Sequence, residues 1–114
     1  MTRKRLALGA AGEDLAAAWY GQRGYQVVAR NWRCKQGELD LILRKGPTVV
    51  FCEVKSRSSL AFGSPFEAVT AEKRRRLRRL AAAWLDASEV GAAQIRFDVV
   101  GVLGGVVEVV EAAF

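Results

Sequence analysis

The sequence predicts an α/β domain in which a mixed β-sheet of about five strands is flanked by helices. Three observations lead to this prediction: two segments have the length and composition of helices, five short segments are rich in valine, leucine and isoleucine, and glycine-containing turns separate them. The predicted order is α-β-β-β-α-β-β. A chain of 114 residues is long enough for one sheet-and-helix core, so we expect residues 1–114 to form a single domain.

The first half of the chain predicts one helix and three strands. The helix runs from about residue 6 to residue 23, is rich in alanine and ends at Gly24, with Leu15 and Trp19 expected on its inward face. The Gly46-Pro47 pair forms a turn between the second and third strands. The three predicted strands are residues 25–32, 38–44 and 48–56.

The second half predicts a loop at residues 58–65, a second helix and a final hairpin. Thr70 is expected to cap the helix, which continues to about residue 87. Its apolar face at helical spacing consists of Leu77, Leu80, Ala81, Trp84 and Leu85. The hairpin turns at Gly104-Gly105, a strong two-residue turn signal. Its strands are residues 94–103 and 106–110.

Two carboxylates and a lysine meet on neighbouring strands of this predicted sheet. If the turn is symmetric about Gly46 and Pro47, opposed residues have numbers that sum to 93, which places Asp40 across from Glu53. Glu53 and Lys55 share a face because side chains alternate along a strand. Like charges directly opposed on a sheet repel each other. A hard divalent cation held by oxygen ligands would remove that repulsion.

A structural role is the alternative for these residues. Strand carboxylates usually face water, and Lys55 would neutralise either acid as an ordinary cross-strand ion pair. A three-residue loop would shift the register by one residue and move one acid to the other face. Asp98, which alternates with apolar neighbours, is likewise expected to form a structural ion pair near Arg96. Spacing alone therefore leaves a metal site and an ion pair both open.

The chain carries a surplus of positive charge. Its 18 basic and 12 acidic residues give a net charge of +6 and an isoelectric point near 9.9. Such a balance favours nucleic acid or another anionic surface, although it also serves solubility. Six basic residues fall within residues 73–79, on the predicted second helix, where they would track a phosphate backbone. A solvated helix face is the alternative, but like charges at i,i+4 make so dense a run costly to the helix. The binding candidates in this run are Lys73, Arg74, Arg75 and Arg76.

Scarce residue types exclude several classes of chemistry. The sequence has no histidine, which excludes Ser-His-Asp hydrolysis, histidine-bound metals and histidine general bases. Cys34 and Cys52 lack paired spacing, so we expect free thiols in a reducing cytoplasm and no zinc site. No segment approaches the roughly 20 apolar residues that span a bilayer, and Glu13-Asp14 interrupts the first apolar run. We therefore expect a cytoplasmic protein without a membrane partner.

Residues 36–42 (QGELDLI) and 51–57 (FCEVKSR) together resemble the PD-(D/E)XK nuclease superfamily. More narrowly, they resemble the small bacterial YraN (UPF0102) family, which is similar to archaeal Holliday-junction resolvases and whose members are largely described as predicted nucleases. Leu39 stands where the superfamily name has proline, at a position that varies widely there. The match covers nearly the whole chain, since it extends to Gly12-Glu13, Asn31-Trp32-Arg33 and residues 62–73, 96–100 and 113–114.

The resemblance implies a restriction-endonuclease-like fold and a metal-dependent endonuclease that hydrolyses phosphodiester bonds of branched or damaged DNA. It implies that Asp40 and Glu53, with the main-chain carbonyl of Val54, hold Mg²⁺ or Mn²⁺. By the same resemblance, Glu13 on the first helix reaches this metal. Lys55 would orient the attacking water or stabilise the transition-state anion. The products would carry a 5′-phosphate.

Other polar residues flank this set. Glu38 shares the face of Asp40 and would either complete the metal shell through water or merely flank the site. Gln36 and Arg57 are candidate substrate contacts, and each is equally well explained as a polar loop residue. The ordinary alternative for Glu13 is an ion pair with a nearby basic residue.

Three functions remain open on this evidence. The first is the metal-dependent endonuclease, as a homodimer like the resolvases. The second is a nucleic-acid-binding protein of nuclease fold without significant catalysis, and the third is a basic adaptor that docks an acidic protein or a membrane surface. Intact Asp40, Glu53 and Lys55 favour the first.

Overall fold

A five-stranded mixed β-sheet with two helices forms the fold, which confirms the predicted order α-β-β-β-α-β-β. The computed structural model describes residues 3–57, 66 and 69–114, with side chains described from residue 9 onward. The predicted loop at residues 58–65 lies outside the described residues. In chain order the elements are α1 (Arg3–Gln22), β1 (Gln26–Cys34), β2 (Gly37–Lys45), β3 (Thr48–Arg57), α2 (Ala71–Ala87), β4 (Gln94–Leu103) and β5 (Val106–Val110).

The strands stand in the sheet in the same order as in the chain. Neighbours are antiparallel except β3 and β4, which run parallel and pair from Thr48 with Gln94 to Arg57 with Leu103. A parallel pair requires a long crossover connection, and α2 lies within it. The result is a central pair of strands buried on both sheet faces, as the continuous apolar run of residues 49–52 in β3 indicates.

Each helix covers one face of the sheet. The apolar face predicted for α2 is confirmed, because Leu77, Leu80, Ala81 and Trp84 are buried and Leu85 is half-buried. These side chains pack with one set of strand residues, which includes Leu39, Ile42, Val49, Phe51, Phe97 and Val99. On the other face α1 packs with a second set, which includes Leu41, Leu43, Val50, Cys52, Val100 and Val102.

The inward face of α1 differs from the predicted one. Leu15 is 38% exposed, whereas Gly12, Ala16 and Tyr20 are buried. Those three residues are four positions apart and so form one stripe of the helix; an alanine-rich sequence offers too little apolar contrast to reveal that stripe. Trp19 is half-buried and stacks edge-on against Tyr20. No helix in the described ranges is both long and apolar enough to cross a membrane.

A buried carboxylate, Asp98 on β4, connects three parts of the chain. Its side chain has 0% exposure and accepts hydrogen bonds from the Nε and Nη2 atoms of Arg96, each at 2.8 Å. The hydroxyl of Tyr20 on α1 donates at 2.7 Å, and the backbone N–H of Ala112 donates at 3.0 Å. An ionised carboxylate is costly to bury unless it is paired and hydrogen-bonded. The expected ion pair at Asp98 is therefore present.

Two local predictions rest on turn and capping chemistry, and both are confirmed. Gly104 and Gly105 have φ angles of +57° and +81°, which the predicted two-residue hairpin turn requires of its central residues. Thr70 caps α2, because its side-chain oxygen accepts a hydrogen bond from the backbone N–H of Lys73 at 3.3 Å.

Replacing Gly12 with alanine should destabilise the fold, because α1 crosses β3 closely at this residue. A methyl group there would overlap Ser56 Oγ and lie 3.3 Å from Ser56 Cβ. Overpacking of this kind costs about 1–3 kcal/mol, which exceeds the roughly 1 kcal/mol that alanine gains over glycine in a helix. Urea denaturation measures the change. Gly9→Ala is the control, since nothing lies within 4 Å of its added methyl. Equal stabilisation of both variants would contradict the close crossing.

Candidate active site

Asp40 and Glu53 lie side by side just beyond the paired part of the β2–β3 hairpin. The pairing runs from Lys45 with Thr48 to Leu41 with Cys52. The register predicted from a symmetric turn is therefore confirmed, and Asp40 and Glu53 are the next residues along it. The backbone N–H of Val54 donates to Asp40 Oδ2 at 2.8 Å, which ties the two strands together at this point.

A pocket of about 240 Å³ opens between this end of the sheet and α2. Glu53 and Lys55 line it because alternate residues of β3 face α2, and Asp40 lines it from β2. Glu38 also lines it, while its carboxylate lies 3.3 Å from Arg33. The residues that α2 contributes are Lys73, Arg76, Leu77 and Leu80. The pocket thus brings three carboxylates together with three cations.

Asp40 is the most strongly perturbed carboxyl group of the pocket. Burial, followed by the adjacent carboxylate of Glu53, raises the pKa of Asp40 to about 7. Glu13 on α1 adds to this shift, whereas the Val54 N–H and Lys55 oppose it. Two carboxylates that share one partly dry site therefore resist being ionised together.

A pair of lysines stands next to the pair of carboxylates. Lys55 Nζ lies 3.0 Å from Glu53 Oε1, and the two side chains are only 21% and 12% exposed. Burial lowers the pKa of Lys55, but the charge of Glu53 and the hydrogen bond to it, together with Lys73 and Asp40, outweigh burial, and the pKa is raised. Lys73 contacts Lys55, and burial followed by this neighbouring ammonium group lowers the pKa of Lys73. Lys55 does pair with one of the two acids, but the ion pair joins Glu53 and Lys55 along β3 and does not cross between strands as the sequence left open.

The carboxylate pair suits a hard, partly hydrated cation better than one enclosed by protein ligands. Within the described ranges no group of three or more histidine, cysteine, aspartate or glutamate side chains is arranged to hold a metal. Mg²⁺ needs fewer: it is commonly bound by one or two carboxylates, keeps several waters and takes further oxygens from substrate phosphates. Asp40 and Glu53 match that requirement. The Val54 carbonyl as a ligand stays a prediction, since the contact seen at Val54 is from its N–H to Asp40.

Glu13 lies close to a basic residue, as one of the two interpretations left open by the sequence requires. Its carboxylate lies 3.7 Å from Arg30 Nη2, while Asp14 binds the same nitrogen at 2.8 Å. Its charge is nevertheless close enough to raise the pKa of Asp40. Glu13 therefore lies beside the pocket with its own cation, and its role as a metal ligand stays a prediction.

Four of the other candidate residues lie outside the pocket. Gln36 is exposed in the turn between β1 and β2. Arg57 is half-buried at the end of β3, where its Nη1 donates to the carbonyl of the preceding residue. Arg74 and Arg75 are exposed on α2 but do not line the pocket. Among the predicted binding residues of α2, the structure brings only Lys73 and Arg76 to the carboxylates.

The pocket also contains side chains that the sequence marked only as core. Leu77 and Leu80 were expected on the apolar face of α2, yet they line the pocket beside Lys73 and Arg76. These four residues follow the i, i+3, i+4, i+7 spacing of one helical face. That spacing is the sequence signal that could have placed Leu77 and Leu80 beside Lys73 and Arg76 in the pocket. The contact between Arg30 and Glu13 joins β1 to α1 and has no comparable local signal.

The chain matches the model of the uncharacterised protein family UPF0102 over residues 12–102. It is 57% identical to a UPF0102 protein of Beutenbergia cavernae, over 89% of this chain and 86% of that protein. It is 58% identical to a UPF0102 protein of Nocardia farcinica, over 85% and 76% of the two chains. A UPF0102 protein of Acidothermus cellulolyticus is 46% identical over 96% of this chain and 95% of its own length. The chain therefore belongs to the UPF0102 family.

Asp40 should make the fold less stable as the pH rises, when a chelator keeps divalent cations away. Its pKa is about 7 in the fold against the ordinary aspartate value of 3.8, so between these values the folded chain holds a proton that the unfolded chain has lost. Stability is therefore fully present below pH 4 and falls as the pH rises through 7, by at most about 4 kcal/mol. Urea denaturation at several pH values measures this loss.

Asp40→Asn should remove most of that pH dependence and be more stable than wild type at pH 8, because its amide oxygen still accepts from the Val54 N–H. Asp86→Asn, which removes an exposed carboxylate of α2, serves as the control and should retain the wild-type pH dependence. If Asp40→Asn loses stability with pH as steeply as wild type does, the raised pKa of Asp40 is not its source.

Proposed function

We propose that this protein is a metal-dependent phosphodiesterase that cuts nucleic acid, and specifically an endonuclease acting on DNA. The observation that carries the proposal is the pocket in which the Asp40–Glu53 pair faces Lys73 and Arg76 of α2. Oxygen ligands for a hard cation and positive groups for a phosphate are both present there. Metal-dependent hydrolysis of a phosphodiester uses these two features within one site.

The distribution of ion pairs supports a polyanionic substrate. Carboxylates neutralise basic residues of the sheet, as at Arg30, Arg33, Lys55 and Arg96. By contrast, none of the five arginines of α2 forms an ion pair with a described carboxylate. Arg44, Lys45 and Arg57 of the sheet also lack a carboxylate partner among the described residues, but the densest group of such cations lies on the helix that borders the pocket. A nucleic-acid backbone would neutralise this group and release counterions.

In this proposal each residue of the pocket has a chemical task. Asp40 and Glu53 would hold Mg²⁺ or Mn²⁺, with the Val54 carbonyl and Glu13 as further ligands. When bound, such a cation lowers the pKa of water and offsets charge on the phosphate oxygens. Lys55, fixed by Glu53 at 3.0 Å, would orient the attacking water or stabilise the anionic transition state.

The phosphodiester itself would be held by α2. Lys73 and Arg76 would bind its oxygens, and the capped start of α2 fixes the position of Lys73. Gln36 and Arg57 would contact more distant parts of the substrate. The resemblance to PD-(D/E)XK nucleases and resolvases supports branched or damaged DNA as substrate, 5′-phosphate products and a homodimer. The free thiols of Cys34 and Cys52 support a cytoplasmic location.

A second candidate is nucleic-acid binding without significant catalysis. Two observations favour it: the Glu53–Lys55 ion pair occupies one of the two carboxylates, and the described residues include no larger ligand cluster. In that case α2 would bind the backbone, and the carboxylates would shape the pocket. Uptake of metal separates the two candidates, because only the phosphodiesterase requires it.

Asp40→Asn should abolish both the uptake of Mn²⁺ and the cleavage of DNA. Isothermal titration of Mn²⁺ into wild type measures binding, and labelled single-stranded, duplex, flap and four-way-junction DNA measures cleavage. We expect at least a 100-fold loss of cleavage in Asp40→Asn and in Lys55→Met, but loss of metal uptake only in the former. This difference follows because Asp40 is proposed as a ligand and Lys55 is not.

Asp14→Asn is the matched control, since this carboxylate pairs with Arg30 outside the pocket and should keep both activities. Salt-dependent DNA binding with neither metal uptake nor cleavage in wild type would refute the enzyme and leave the binding protein. Cleavage of RNA alone would keep the chemistry and correct the substrate.

A further inference from the structure

Helix α2 carries cations on two opposite flanks, and only one flank faces the pocket. Lys73 and Arg76 occupy the pocket side. On the other side Arg74 and Arg78 lie over the ring of Phe114, with their guanidinium carbons 5.7 and 5.5 Å from its centroid. The buried stripe that includes Leu77 separates the two flanks.

The side chains of the second flank are held in place by ring contacts and a hydrogen bond. Phe114 stacks on Phe97 with ring centroids 5.1 Å apart and planes at 25°, and the guanidinium of Arg78 also lies 5.4 Å from the Phe97 centroid. The Nε of Arg74 donates to the carbonyl of Val69 at 3.3 Å. Stacking and this hydrogen bond limit the freedom of both arginines, which leaves them prepared to bind an anion at a low entropic cost.

The charge of this flank is uncompensated. Arg74 and Arg78 are exposed, and neither forms an ion pair with a carboxylate in the part of the chain that the structure describes. Their remaining N–H groups suit phosphate oxygens, which guanidinium binds well. Packing against the Phe114 ring explains why Arg74 and Arg78 lie where they do, but it does not neutralise their charges.

The width of α2 indicates which kind of nucleic acid can contact both flanks at once. An α-helix with its side chains is about 10–12 Å across, and the major groove of a DNA duplex is about 12 Å wide and admits a helix. The backbones that border such a groove belong to two strands. A single strand in the pocket would reach Lys73 and Arg76 but would leave Arg74 and Arg78 without a partner.

We propose that Arg74 and Arg78 form a second phosphate-binding surface, which holds the strand opposite to the one in the pocket. The partner of this protein is therefore a nucleic-acid duplex that α2 enters along a groove. Arg75 and Arg79, exposed between the flanks, face the groove itself. This inference rests on the proposed function, because a nucleic acid must be the anion that the pocket takes.

Salt dependence of binding tests the proposal, with a labelled DNA duplex and its single strand as probes in the presence of a chelator. The double variant Arg74→Gln/Arg78→Gln keeps the side-chain stems against Phe114 and removes both charges. For the duplex, the slope of log affinity against log salt should fall in magnitude by about 1.8, which corresponds to two lost phosphate contacts. For the single strand the slope should not change.

Two further variants make the result specific. Lys73→Gln/Arg76→Gln should weaken binding of both probes, since both would enter the pocket. Arg23→Gln is the control, because this arginine is also exposed and lies 3.7 Å from the ring centroid of Trp19, but it lies in the turn after α1, the helix on the other face of the sheet. It should leave both slopes unchanged.

The outcomes separate this inference from the proposed function. If Arg74→Gln/Arg78→Gln changes neither slope, or changes both equally, the duplex surface is overturned. The pocket is rejected separately, by Lys73→Gln/Arg76→Gln leaving the binding of both probes unchanged. A fall in thermal stability of Arg74→Gln/Arg78→Gln with unchanged slopes also overturns the duplex surface, since the arginines would then only retain Phe114. Absence of salt-dependent binding of either probe to wild type overturns both.

Discussion

The buried carboxylate of Asp98 is the interaction on which the arrangement of this fold depends most. Its hydrogen-bond donors come from β4, from α1 and from the segment after β5, so one charged group fixes a helix, the sheet and the C-terminal residues relative to each other. Removing a donor would leave a charge without its partner in an apolar layer, which typically costs several kcal/mol. The hydrogen bond from Ala112 to Asp98 also helps to position Phe114, two residues further on, against Arg74 of α2.

The pocket is organised by the opposite principle, because its charges are imperfectly compensated. Asp98 receives four hydrogen bonds, whereas Asp40 receives one from the Val54 N–H and faces a second carboxylate. A carboxylate whose hydrogen bonds are all made is typical of a structural group, whereas a carboxylate with a perturbed pKa beside a like charge is typical of a functional one. Comparison of these two aspartates within one sheet therefore distinguishes the group that holds the fold from the group available for chemistry.

Most of the fold could be predicted from the sequence because its signals are local. The Gly104-Gly105 turn, the Thr70 cap and the symmetric turn before Thr48 each depend on a few neighbouring residues, and the turn also determined the register that brings Asp40 to Glu53. The face of α1 could not be predicted, since alanine differs little between buried and exposed positions. Leu15, predicted on the inward face, is exposed because the close crossing at Gly12 and Ser56 selects another stripe.

The parallel pairing of β3 with β4 has a consequence for the order in which the molecule assembles. Each pair in this ladder joins residues 46 positions apart, as at Thr48 and Gln94, whereas β1, β2 and β3 join through short turns. Contacts between distant residues close slowly because the loop entropy must be overcome first. The hairpin that carries Asp40 and Glu53 can therefore form early, while the cations of α2 reach it only when the crossover docks. Nascent chains would expose the half of the pocket that carries three carboxylates and Lys55 before Lys73 and Arg76 of α2 arrive.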